Sequence, residues 1–147
     1  MSVQVEVLSK VTDETVEAFG RLLPQLSRSA APLDHDGLAR IVEAPASTVL
    51  IARSDGVITG TLTLVMFPIP TGLRAWIEDV VVDQDAGRQG IGSALTLEAL
   101  RIARQAGART VDLSSRPSRV AAGRLYEKLG FQTRETRMYR YPLDDPD

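Results

Sequence analysis

Three glycines crowd the stretch Val80-Val-Val-Asp-Gln-Asp-Ala-Gly-Arg-Gln-Gly-Ile-Gly-Ser-Ala-Leu95, where strand-like sequence gives way to helix-like sequence. Gly87, Gly90 and Gly92 let backbone N–H groups come close to a ligand, and a helix start offers unpaired donors with partial positive charge. That combination suits a phosphate or pyrophosphate. It is not a P-loop, because Gly92 is followed by Ser93 and Ala94 with no lysine. The glycine spacing also differs from the dinucleotide-binding fingerprint. Two readings stay open at this point: an anion cradle, or a tight strand-to-helix turn with no ligand. Other chemistries are excluded by composition. With no cysteine, there is no disulfide, thiolate metal site or cysteine nucleophile. The one histidine, His35, lies between Asp34 and Asp36 and reads as a solvated helix-start residue, with substrate contact as the alternative.

A chain of 147 residues with 44% apolar and 24% charged residues has the composition of a globular protein and the size of one domain, expected to span 1–147. A net charge of −2 supplies no basic field for nucleic acid. No run reaches the ~18 apolar residues of a membrane span. The opening Met1-Ser-Val-Gln-Val-Glu lacks a signal-peptide pattern. The expectation is a cytoplasmic protein with neither nucleic acid nor membrane as partner, and no metal.

The elements that would position the loop follow from hydrophobic period. Val3, Val5 and Val7 alternate as in a strand. Thr12 or Asp13 caps a helix with the stripe Val16, Phe19, Leu22, Leu23 and Leu26, which should kink or end near Pro24. A shorter helix carries Leu38, Ile41 and Val42. Thr48–Arg53 and Val57–Phe67 form a hairpin about Ser54-Asp55-Gly56, and Arg74–Val82 is a neighbouring strand. After the loop comes a helix from Ser93 to about Ala106, with Ile91, Leu95, Ala99, Ile102 and Ala106 as its stripe and Gly107 behind it. Thr110–Ser114 is a strand, Ser118–Leu129 a helix ended by Gly130, and Phe131–Tyr141 a last strand. The order β-α-α-β-β-β-α-β-α-β predicts an α/β (α+β) fold with a central mixed, mostly antiparallel sheet flanked by helices.

Arg88-Gln-Gly-Ile-Gly-Ser-Ala-Leu95, preceded by Ile77-Glu-Asp-Val-Val-Val-Asp83, resembles the acyl-CoA loop of the GNAT superfamily of N-acetyltransferases. Ala122-Gly-Arg-Leu-Tyr-Glu-Lys-Leu-Gly-Phe131 is similar to that superfamily's second signature, and the two stand in the family's order. The clear resemblance covers Trp76 to Tyr141. It implies an acetyl-CoA-dependent N-acetyltransferase, with acetyl-CoA as co-substrate. Val80 and Val82 would pair with the pantetheine arm. The backbone of Gly87, Arg88, Gln89, Gly90, Ile91, Gly92 and Ser93 would carry the pyrophosphate. The order Gly87-Arg88 departs from the family's usual pattern, as does Arg119 where asparagine is common.

With no cysteine to carry an acyl group, direct transfer in a ternary complex is the simplest mechanism. The resemblance places Tyr126 at the CoA sulfur as the proton donor. The alternative is a half-buried packing residue. Strict strand alternation puts Trp76, Glu78, Val80 and Val82 on one face, so Glu78 is the candidate base or else the partner of an arginine. Asp79 then faces away in a structural position, and Ser114 is a weaker candidate for orienting the acceptor. Arg116, Arg119 and Arg124 either meet anions or form a solvated face. The expected acceptor is a primary amine of a small molecule, with an amino-sugar phosphate and a non-catalytic acyl-CoA-binding module as alternatives. The family's last strand often lies between subunits, so the resemblance admits a homodimer.

Overall fold

The computed structural model describes residues 2–87 and 89–143. The chain divides into two compact units, residues 1–114 and 115–147. In the first unit, β1 (Val3–Val7), β2 (Ser47–Ser54), β3 (Val57–Ile69), β4 (Gly72–Val82) and β5 (Thr110–Asp112) form one sheet in that order. The first four are antiparallel and β5 joins β4 in parallel. Helices α1 (Asp13–Leu26), α2 (His35–Glu43) and α3 (Ile91–Ala106) complete this unit, and α4 (Val120–Lys128) belongs to the second.

Local sequence explains the element ends. Thr12 and Thr15 exchange side-chain and backbone hydrogen bonds in a capping box at the start of α1, and Asp34 accepts from the Gly37 N–H to cap α2. Asp55 and Gly56, at φ 51° and 84°, make the two-residue turn that matches the twist of the β2–β3 hairpin. The first helix runs two residues past Pro24 before it stops, since a proline near the last turn removes only one late hydrogen bond.

The sheet has two apolar faces. Val49, Ile51, Ile58 and Val81 pack with Phe19, Leu22 and Leu38 of α1 and α2. Leu50, Leu62, Leu64 and Ile77 lie in the alternate register positions and are at most 3% exposed. Helix α3 packs close to β3 at Gly60, where an added Cβ would stand 2.9 Å from Ile91 Cγ2 and 3.2 Å from Leu95 Cδ1. Its buried stripe continues to Ala103, not to Ala106, because successive i+4 steps from Ile91 follow the contact face through four turns.

Two expectations are corrected. Residues 131–143 form no strand and are mostly exposed. The Phe131 N–H instead closes the turn after α4 by donating to the Tyr126 carbonyl, so the run leaves the helix in a turn and not in a sheet ladder. The expected strand Thr110–Ser114 is also shorter, ending at Asp112, which pairs with Trp76.

The approach of α3 to β3 yields a first test. Gly60→Ala should lower unfolding stability by about 1–3 kcal/mol through overpacking, measured by urea denaturation. An unchanged midpoint would show that the start of α3 yields freely.

Candidate functional site

Strand β4 does not alternate regularly. Thr63 pairs with Glu78 and Thr61 with Val81, so the single residue Leu62 stands against both Asp79 and Val80. This is a bulge, and Asp79 within it has φ 50°, a left-handed conformation uncommon outside glycine. The consequence is a change of face. Glu78 and Val81 share the side of Thr61 and Thr63, while Val82 pairs with Gly60 on the opposite side. The expected common face of Glu78, Val80 and Val82 is therefore wrong. Asp79 is also corrected: it lines the same cleft as Glu78 instead of facing away.

On the side away from β3, β4 is only partly covered by β5. Pairing with β5 extends only from Arg74 to Trp76. Residues 77–82 continue for about 20 Å of strand, and among the described residues β5 covers none of that edge. Val80 and Val82 lie in this open stretch.

At its end the chain makes a 3₁₀ turn, Gln84–Ala86, passes Gly87 at φ 70°, and enters α3 through Gly90 in a left-handed conformation at φ 73°. The first internal bond of α3 is donated by the Ala94 N–H to the Gly90 carbonyl at 2.9 Å. The N–H groups of Ile91, Gly92 and Ser93 come before it, with no side-chain cap and no acidic residue in the first turn. Such an end presents converging donors and the positive pole of the helix dipole. An acyl-CoA pyrophosphate fits that donor set chemically. Gln89 donates to the Ala86 carbonyl, and its buried Oε1 has no hydrogen-bond partner among the described residues. Arg88 lies outside the described residues.

Two residues of α1 that sequence reasoning missed hold the start of this loop. Arg21 donates to Asp83 Oδ2 at 2.7 Å and to the Ile58 carbonyl at 3.2 Å. Gln25 accepts from the Gln84 N–H at 2.9 Å and donates to Asp83 Oδ1 at 3.4 Å. The Asp85 N–H also donates to Asp83; this bond, with Gln25 and Arg21, holds the Asp83 carboxyl below its ordinary value. Their only sequence signal is the i, i+4 spacing of two polar residues on one side of α1.

Helix α1, the segment after it, α2 and the sheet enclose a cleft of about 440 Å³, within the range of small-ligand sites. Its walls include Phe19, Leu23, Leu26 and Ile41, and its floor holds Thr61, Thr63, Glu78 and Asp79. Both carboxylate residues are exposed. Among the described residues neither carboxylate makes a side-chain hydrogen bond or ion pair. His35 is the exposed first residue of α2. Ser114 is exposed beyond the end of β5, and Arg116, Arg119 and Arg124 are exposed as well.

In the second unit Tyr126 is buried on α4. Gly130, at φ 105°, reverses the chain so that the Phe131 N–H donates to the Tyr126 carbonyl at 3.0 Å. The Phe131 ring meets the Tyr126 ring edge-on, with centroids 5.6 Å apart. Burial raises the Tyr126 phenol above its ordinary value, opposed in part by the Arg119 charge, so the hydroxyl keeps its proton at neutral pH.

A sequence model of the acetyltransferase (GNAT) family matches residues 10–131, and the chain belongs to that family. It is 38% identical over 72 residues to the ribosomal protein bS18-alanine N-acetyltransferase of Escherichia coli, a match covering 49% of each chain. It is 34% identical over 117 residues to the glucosamine 6-phosphate N-acetyltransferase of Trypanosoma brucei brucei, covering 74% of this chain and 78% of that one. An aminoglycoside acetyltransferase structure from an uncultured soil sample has the same fold, with a TM-score of 0.82, 20% identity and 97% of each chain covered. The matched segments span about half the length of the first curated relatives. Among the described residues no helix is long and apolar enough to cross a membrane.

The Asp83 contacts predict a pH dependence. Because the folded carboxyl titrates below the unfolded value of about 3.9, the unfolded chain binds more protons, and stability falls as pH drops through this range. Asp83→Asn should be less stable than the parent at pH 7, with the gap closing on acidification. Thermal unfolding from pH 7 to pH 3 measures it, and a constant gap would remove Asp83 from the linkage.

Proposed function

We propose that this chain catalyses acetyl-CoA-dependent N-acetylation of a primary amine on a small molecule, by direct transfer within a ternary complex. The observation that supports this most is the continuity of β4. One strand carries the unpaired edge of residues 77–82, leads into the uncapped start of α3, and places Glu78 and Asp79 in the adjoining cleft.

In this reading the backbone amides of Gly87 to Ser93 bind the pyrophosphate, and Val80 and Val82 offer main-chain groups to the pantetheine arm. The exposed Glu78 takes a proton from the incoming ammonium, directly or through water. The free amine nitrogen then bonds to the acetyl carbon, the carbon–sulfur bond breaks with its electron pair going to sulfur, and the nitrogen sheds its surplus proton to water, which restores the proton that Tyr126 gives up. Tyr126 returns a proton to the departing thiolate, a role compatible with its retained hydroxyl proton. Relatives named for a protein alanine and for an amino-sugar phosphate share the same reacting group, an amine, which supports the reaction class.

The test is calorimetry with acetyl-CoA followed by thiol release with a panel of amines. Tyr126→Phe should cut kcat by about 100-fold while CoA affinity changes little. Glu78→Gln should flatten the rising limb of the pH–rate profile. Wild-type turnover in the first variant, or an unaltered profile in the second, would assign that proton transfer to another group.

A further inference from the structure

We infer that the acceptor is a small monoamine whose single cationic head is carried on an apolar body, such as an arylalkylamine. This deepens the transferase reading and rests on it. The cleft carries charge only at Glu78 and Asp79; Ser27, Thr61 and Thr63 add hydroxyls, and Phe19, Leu23, Leu26 and Ile41 form apolar walls. Two carboxylates without partners among the described residues suit one ammonium group, and the apolar wall suits the rest of the molecule.

The same lining argues against the acceptors of more polar amines. None of its residues is lysine or arginine. Arg28, adjacent in sequence to the lining residue Ser27, is exposed and outside the lining. Among the described residues no cation lines the cleft for a phosphate, which would lie beside two carboxylates of like charge. A polyamine antibiotic would need more anionic partners than Glu78 and Asp79 to match its several charges. The cleft volume of about 440 Å³ suits a free small molecule better than a polypeptide, which would extend beyond it.

The experiment compares phenethylamine, glucosamine 6-phosphate, sisomicin and a peptide with an alanine N-terminus as acceptors for the full chain. Calorimetric titrations with acetyl-CoA and with phenethylamine alone run in parallel. The expected result is a kcat/KM for phenethylamine about tenfold or more above each of the others, with measurable binding of phenethylamine to the protein. Leu26→Gln should raise the KM for phenethylamine several-fold without altering acetyl-CoA affinity. A preference for the sugar phosphate, the aminoglycoside or the peptide overturns the acceptor class while leaving the transferase reading intact. Loss of acetyl-CoA binding in the wild-type chain overturns both. An unchanged KM in a folded Leu26→Gln variant overturns the apolar wall as the basis of selection.

Discussion

The bulge at Asp79 and Val80 is the constraint on which the architecture around the cleft depends. Placing a non-glycine residue in the left-handed region costs on the order of 1–3 kcal/mol, and aspartate tolerates it better than β-branched neighbours would. The extra residue breaks the two-residue period of β4 and bends the strand. Three features accompany that break: Glu78 and Asp79 both reach the α1–α2 side, Val82 moves to the α3 side, and β5 pairs no further than Trp76. A regular strand would have sent Asp79 to the opposite face from Glu78.

What holds the neighbouring loop is distributed between the two faces of the sheet. On one side Arg21 and Gln25 reach from α1 to Asp83 and Gln84, so the helix that walls the cleft also fixes the loop's first residues. On the other side Ile91 and Leu95 press on Gly60, which sets the height of α3 above β3. The loop between these anchors uses Gly90 in the left-handed region, leaving the first amides of α3 unpaired by any side chain. Donors at such a helix end are satisfied by water or by a ligand that supplies oxygen atoms.

The second signature has a local structural explanation that does not require a ligand. Gly130 permits a turn whose positive φ brings the Phe131 ring edge-on against the Tyr126 ring. The glycine-phenylalanine ending thus supplies one packing contact to the tyrosine ring, whose burial raises the phenol above its ordinary value. A packing role and a proton-donor role are therefore compatible in one residue.

The sequence by itself determined what depends on neighbours along the chain. The caps at Thr12 and Asp34, the Asp55-Gly56 turn, the 3.6-residue stripes of the helices and the alternation of β1 to β3 all arise from contacts a few residues apart. The glycine loop was legible for the same reason. Only the tertiary structure decided the faces of Glu78, Asp79 and Val82, because a bulge is set by how β3 and β4 pair across the sheet. The same holds for Arg21 and Asp83, which are 62 residues apart and meet only when α1 lies over the sheet. The run 131–143 shows the converse: strand-like composition alone does not make a strand, because a strand is defined by pairing with a chain segment distant in sequence.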